Sequence, residues 1–514
     1  MINRFLPLTA MTLISVCIAA EPATPSPQPS ALPNIVLFLV DDMGWQDTSV
    51  PFWDKTTPLN QKFHTPNMER LAAGGVKFTQ AYATPVCSPT RVSLLTGLNA
   101  ARHRVTNWTL RKGQSSDAGH PALTFPNWNL NGLQPVSTGI PRTIEAKCLP
   151  EYLRGAGYRT IMVGKAHFGA TGTPGEDPKR LGFDVNIGGH AAGGPGSYLG
   201  EQNYSAEFRK GGSVWNVPNL EKYHGTDTFL TEALTVEGLK AVDQSRADKK
   251  PFFLYMSHYA VHVPYAPDKR FIGKYQKAGM DKTEAMYAAL IEGMDKSLGD
   301  IMDYLEKNKL VDNTVILFMS DNGGLTAGRG GKPETQNLPL SRGKGALREG
   351  GIREPMIVKW PGVTKPGSVC PDYLIIEDFF PTILEMAGIK AEKPVDGISI
   401  IPLLKGTPGS AHEAAGRPLL WHQPNNWGSG SGIGYGSGSA VRLGDWKYIF
   451  YHNPAQKVRE ELFNLREDIG ETKNLATTNP AKLAEMRKLL KECLIKNDAQ
   501  MPTDKKTKKL IEVP

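Results

Sequence analysis

Cysteine is scarce in this chain: Cys17, Cys87, Cys148, Cys370 and Cys493 are spread over 514 residues. They are too few and too scattered to define a disulfide framework, and no Cys/His spacing of a zinc site occurs. Long apolar runs are also lacking. Residues 5–20 form the one candidate, shorter than the about 20 residues a membrane helix needs, so stable membrane insertion is not expected. Dense charge of one sign appears once, in Lys505-Lys506-Thr507-Lys508-Lys509. Within the polar, basic end at 497–514 this run reads as a solvated, mobile tail and not as a nucleic-acid patch. No internal repeat is visible.

What is present suits a large globular protein. With 40% hydrophobic and 21% charged residues, the chain can bury a large core in more than one domain. The balance of 59 basic to 51 acidic residues hints at anionic partners without identifying any. Asn3-Arg4, the apolar stretch 5–20 and the small residues Ala19-Ala20 read as a cleaved signal peptide (1–20) before a Pro-rich linker (21–32), which predicts a secreted or periplasmic protein. Cys17 raises a lipoprotein alternative, which the bulky Val16 before it disfavours.

Four short apolar runs, at 34–40, 160–163, 252–256 and 315–319, read as strands buried on both faces, as in a parallel sheet covered by helices. Helical spacing lies between them at 65–74, 149–156 and 287–305. The Pro, Gly and Ala texture of 402–418 suggests a boundary, and beyond it 440–451 and 460–465 read as antiparallel strands closed by a helix at 480–496. The expected fold is α/β: a large mixed, mostly parallel sheet sandwiched by helices (33–405), with a smaller C-terminal domain of antiparallel sheet plus helix (415–496).

Polar residues follow all four apolar runs: Asp41-Asp42, Lys165 with His167, His258 with His262, and Asp321-Asn322. Each has an ordinary explanation as a cap, a turn or a packed histidine. Together they put charge on one rim, because open α/β sheets bind ligands outside the carboxyl ends of their strands.

One further segment, Cys87-Ser-Pro-Thr-Arg91, resembles the C-x-P-x-R signature of the type I sulfatases in the alkaline phosphatase superfamily. The blocks Val40-Asp-Asp-Met-Gly-Trp-Gln-Asp47, Thr65-Pro-Asn-Met-Glu-Arg-Leu-Ala72, Gly164-Lys-Ala-His-Phe-Gly169, Ala260-Val-His-Val-Pro264, Ser320-Asp-Asn-Gly-Gly324, Arg342-Gly-Lys-Gly345 and Glu349-Gly-Gly-Ile-Arg-Glu-Pro355 also resemble that family, in its order. Asn464 lies in a similar terminal block, 462–475. Ala166, Phe168 and Ile469 depart from the family pattern without removing a catalytic group.

The resemblance implies that a formylglycine-generating or equivalent maturation enzyme oxidises Cys87 to an aldehyde. Its hydrate would offer one hydroxyl to attack sulfur and one to expel sulfate. The resemblance also implies metal ligands at Asp41, Asp42, Asp321 and Asn322, with an oxygen of modified Cys87. Calcium is the expected ion, and magnesium also suits such oxygens. Arg91 would hold the hydrate and Lys165 and Lys344 the sulfate. His262 would be the general acid, with His258 the runner-up, and His167 would take the second hydroxyl's proton.

Substrate-binding residues are expected in two loops: 106–141, with Trp108 and Trp128, and 421–438, with His422 and Trp427. Aromatic and amide groups suit a sugar ring, which favours an exo-acting sulfatase on a sulfated carbohydrate. The alternatives are a phosphodiesterase or phosphonate monoester hydrolase of the same superfamily, and a catalytically silent glycan-binding protein on that scaffold.

Overall fold

The computed structural model describes residues 1–2, 32–208, 210–326, 337–406, 416–428 and 434–514. The expected signal peptide and linker fall almost wholly outside them. Residues 32–514 form one compact unit.

Nine strands of the described residues build the main sheet: β1 (Asn34–Val40), β2 (Val76–Tyr82), β3 (Arg159–Gly164), β4 (Val185–Ile187), β5 (Phe252–Ser257), β6 (Thr314–Ser320), β7 (Arg353–Lys359), β8 (Ser368–Cys370) and β9 (Leu374–Ile375). Their order is β8-β2-β7-β6-β1-β5-β3-β4, with β9 also on β2. Only β7 runs antiparallel to its neighbours, β2 and β6. The expected α/β class, mostly parallel, is what the chain adopts.

Central β1 shows why the continuous apolar pattern works. Ile35, Leu37 and Leu39 enter the core on one face, while Val36, Phe38 and Val40 enter the core on the other. A strand alternates its side chains between faces, so burial on both requires every position to be apolar. One face is covered by the helix Cys87–Thr96 through Val92, Leu94 and Leu95. The other is covered by the helix Lys282–Lys307, longer than its apolar stripe suggested, whose start is capped by Asp281 accepting from Thr283 and Glu284 amides.

A second sheet, β10 (Leu419–Gln423), β11 (Gly438–Leu443), β12 (Trp446–Tyr451) and β13 (Glu460–Asn464), is wholly antiparallel. Gly444 and Asp445 make the two-residue turn between β11 and β12, with Gly444 at φ 57°. Leu420, Val441, Tyr448 and Phe450 face the helix Pro480–Lys496, where Cys493 is a packed thiol, as its place in the apolar stripe suggested. Trp421, Ala440 and Ile449 face the first core. Cys87, Cys148, Cys370 and Cys493 are all unpaired. No described helix is long and apolar enough to cross a membrane.

The basic end differs from its expected state as a loose tail. Thr503–Asp504 pair with Leu123–Thr124, and Ile511 and Val513 are buried against the second sheet's helix side. Two alternating apolar residues after the lysine run supply the anchor that composition alone obscured.

Buried histidines make stability depend on pH. Burial depresses His103 and His258 to about 3 and His190 and His422 to about 4, against 6.5 when exposed. Because the unfolded chain binds these protons first, stability falls as pH drops below 6.5, at about 1.4 kcal/mol per pH unit for each histidine. Glu377, raised to about 8, Asp295, raised to about 6, and Asp41, Glu354 and Glu471, also raised by burial, act in the opposite sense. Burial depresses His167, His262 and His452 as well, so among the described residues these seven histidines stand against five carboxyls. Urea unfolding between pH 6.5 and about 4.5 should show a steady loss of stability; a flat profile would contradict the neutral, buried state of these rings.

Candidate active site

The rim forms where the sequence pattern placed it. β1 ends in Asp41-Asp42, with Asp42 in the left-handed region at φ 61°. β6 ends beside it in Asp321-Asn322, and β3 ends in Gly164 before Lys165. Gly164 has φ +87°, and a Cβ there would stand 2.0 Å from the Ser257 carbonyl oxygen, so the turn that delivers Lys165 requires glycine.

Charges alternate at close range. Lys165 Nζ donates to Asp41 Oδ2 at 2.6 Å and Lys344 Nζ to Asp42 Oδ1 at 2.5 Å. Asn322 Nδ2 donates to the same Asp42 oxygen at 2.7 Å. Arg91, fully buried, donates from Nε to Asp321 Oδ2 at 2.9 Å and from Nη1 to the Lys165 carbonyl and Ser257 Oγ. Its fork therefore braces Asp321 and the Lys165 backbone. Burial pushes the Asp41 carboxyl well up, Lys165 opposes this, and Asp321 and Asp42 add to it. Asp42 is held below the usual carboxylate range: burial works against this, and Lys344, His262 and Lys165 outweigh it.

The donor set fits a hard cation. Asp41 Oδ1, Asp42 Oδ2 and Asn322 Oδ1 are buried oxygens with no hydrogen-bond partner among the described residues, at the ends of adjacent strands. Buried acceptors are normally satisfied, and three orphaned oxygens of this type match the ligands that calcium or magnesium takes. Asp41, Asp42 and His262 also bring ligand-capable atoms within 4.8 Å of one another.

A cleft of about 310 Å³ opens over this cluster, lined by Asp42, Cys87, His167, His262 and Lys344. Cys87 is the first residue of its helix, where unpaired backbone N–H groups favour negative charge. Burial nonetheless raises its thiol, against the pull of Lys165 and Lys344.

Both cleft histidines are held in defined states. His167 Nε2 lies 2.8 Å from the Thr109 carbonyl, to which it donates, leaving Nδ1 as an acceptor with no partner among the described residues. His262 donates from Nδ1 to the Val263 carbonyl at 2.7 Å, and its Nε2 stands 3.7 Å from Asp42 Oδ2. Burial lowers both rings' pKa values, with nearby lysines adding to the shift. His258, the runner-up, does not line the cleft; it bonds Ser297 and packs against Phe38.

Two glycines that sequence reasoning missed make room for these rings. A Cβ at Gly193 would stand 2.4 Å from His167 Cε1, and one at Gly194 would stand 2.8 Å from His262 Nδ1. Gly193→Ala should therefore displace His167 and lower turnover by about 100-fold with little effect on thermal unfolding. Unchanged kinetics would show that the ring's position is not critical.

Three tryptophans, Trp108, Trp215 and Trp427, line the same cleft. Trp108 was expected there, and Trp427 sat in an expected loop. Trp215 was missed, because the irregular stretch around it has no period to read. Asp117 ties two of the walls together by accepting from Asn107, Trp128 and Asn425. His422, expected beside the substrate, is instead buried between Ser439 Oγ and the Gln500 carbonyl. Trp421 likewise sits in the core, donating to the Ala83 carbonyl.

Comparison with known proteins agrees with this geometry. Residues 33–389 match the family model Sulfatase, and residues 343–500 match the model for the C-terminal part of N-sulphoglucosamine sulphohydrolase. A sulfatase of Formosa agariphila is 32% identical, over 94% of this chain and 92% of its own length. The N-acetylgalactosamine-6-sulfatase of Mus musculus is 32% identical over 78% of this chain and 70% of its own. The crystal structure of Ps i-CgsB superimposes with a TM-score of 0.71 at 27% identity, over 91% of this chain and 94% of that one. The same protein has been solved in complex with k-i-k-neocarrahexaose. Signature, rim and relatives agree, and the chain belongs to the sulfatase family and is a sulfuric ester hydrolase.

Proposed function

We propose that this sulfatase is exported and removes sulfate from the terminal unit of a sulfated glycan, using formylglycine made from Cys87. The observation that carries this reading is the cleft itself: one cavity is lined by Cys87, Asp42, Lys344, His167 and His262 together with Trp108, Trp215 and Trp427. The cavity is at the small end of ligand sites, which suits one sugar unit. Tryptophan faces suit the C–H faces of such a ring. Relatives that act on N-acetylgalactosamine or bind a neocarrahexaose support a carbohydrate substrate.

The aldehyde, once formed and hydrated, supplies the nucleophilic oxygen that a thiol lacks. A divalent cation held by Asp41, Asp42, Asp321 and Asn322, with an oxygen at position 87, would supply Lewis acidity toward the sulfate oxygens. Lys344 and Lys165 bring positive charge to the oxygens that gain negative charge in the transition state. Arg91 keeps Asp321 and the Lys165 backbone in place. His167 Nδ1 presents an available lone pair to take a proton from the hydrate. His262, whose one ring proton goes to the Val263 carbonyl, can give a proton from Nε2 only once the ring is charged, and shares the general-acid role with Lys344, an ammonium paired with Asp42 in the same cleft.

The test is sulfate release from sulfated mono- and oligosaccharides differing in sugar and sulfate position, with an aryl sulfate and a phosphodiester as controls. In Trp108→Ala and Trp427→Ala, turnover of the preferred glycan should fall about tenfold or more while the aryl sulfate is affected far less. Equal losses on both would assign these rings to folding. Phosphodiester cleavage without glycan desulfation would overturn the reading. Export is checked by the mature N-terminus, expected shortly after Ala20.

A further inference from the structure

The lysine run at the C-terminus is held in a fixed turn on the segment that carries the cleft's walls, and we infer that it binds anionic groups of the substrate beyond the sugar being desulfated. This rests on the glycan reading above and adds a second recognition surface to it.

The turn is built. Asp504 Oδ1 accepts from the Lys506 backbone at 2.7 Å, Asp504 N donates to the Lys509 carbonyl at 2.9 Å, and Ile511 N donates to the Pro502 carbonyl at 2.9 Å. Ile511 and Val513 lock the following chain into the core. Four of the five residues 505–509 are lysines, and all five are exposed. A chain end that needed charge only for solubility would not require this anchoring.

Its position is fixed by the segment that also carries the cleft's walls. Lys505 donates from its backbone N to the Ala122 carbonyl at 2.9 Å and from Nζ to the His120 carbonyl at 2.8 Å. Two residues earlier, Ala118 N donates to the Asn426 carbonyl at 3.0 Å, directly before cleft-lining Trp427. Ser116 Oγ donates to the carbonyl of cleft-lining Trp108. The hairpin's backbone is anchored at Ala122, four residues from Ala118, and four residues span at most about 14 Å, so its base stands within a few sugar units of the Trp427 wall. Asp117, the acidic group on this strap, is already occupied by Asn107, Trp128 and Asn425, and within 504–512 the carboxylates Asp504 and Glu512 offset two of the four lysines and leave a net charge of +2.

Exposed cations of this kind act on a polyanion through several weak, salt-sensitive contacts. A singly sulfated monosaccharide in the cleft would not reach them, whereas a polysulfated oligosaccharide would. Lys505 is tied to the strap, so the informative variant is Lys506→Gln/Lys508→Gln/Lys509→Gln, which touches neither the cleft nor the anchor. With a polysulfated oligosaccharide its KM should rise about tenfold at unchanged kcat, and added salt should raise the wild-type KM toward the variant's. With the matching monosaccharide both proteins should be identical.

Equal KM values for the oligosaccharide, or equal losses on both substrates, would overturn the inference. If the wild type desulfates no glycan, the function proposed above fails. The hairpin is then judged by equilibrium binding of the same oligosaccharide, where tenfold weaker binding by the variant supports it and equal binding overturns it. A DNA oligonucleotide of matched charge that competes as strongly as the oligosaccharide would make the turn a general polyanion patch and overturn its role in glycan recognition.

Discussion

Cys87→Ala should fold normally and lose at least about 10⁴-fold of its turnover. The thiol is buried and small, so its removal leaves only a slight gap, costing on the order of 1 kcal/mol. The sulfate site and the tryptophan walls stay intact, so substrate binding should persist while sulfate release disappears. Thermal unfolding, sulfate release and substrate binding together check this. A variant with a normal melting temperature and near-normal turnover would show that position 87 does not carry the nucleophile.

Asp321→Ala should be the most damaging single change, because this side chain does two jobs. It is expected to ligate the cation, and it accepts a hydrogen bond from Nε of the fully buried Arg91 at 2.9 Å and pairs with the Nη2 charge at 2.7 Å. Losing the ligand should remove bound metal and most activity. Leaving Arg91 buried without its carboxylate should cost a further roughly 3–5 kcal/mol of stability. Elemental analysis and unfolding measure the two effects separately. A variant that keeps its metal but loses stability would confine Asp321 to bracing Arg91.

The centre of the fold was legible because burial on both faces demands unbroken apolar strands. β1, β3, β5 and β6 lie within about a residue of the runs read for them. β2 and β7 were not read as strands. In β2, Lys77, Thr79 and Gln80 break the apolar run and are only half-buried, and β7 begins with Arg353-Glu354-Pro355. A pattern tuned to apolar runs passes over both.

The polar residues after the four strands were legible for the same reason: topology fixes which end of a parallel sheet is open. What the sequence could not reveal is direction within a covered sheet. Trp421 and His422 are adjacent on β10, and both are buried, because this sheet has a packed partner on each face. Trp215 reaches the cleft from irregular chain, and Gly193 and Gly194 matter only through what approaches them. Proximity of that kind has no signature in spacing.

The central claim is that Cys87 becomes the aldehyde that attacks sulfate, and its most direct measurement is mass analysis of the Cys87 peptide. The full chain is produced with and without a formylglycine-generating enzyme, and sulfate release is assayed on the same preparations. The account predicts that the peptide carries an aldehyde, reactive toward hydrazide, and that turnover rises in proportion to the converted fraction. A fully active preparation in which Cys87 remains entirely a thiol would contradict it.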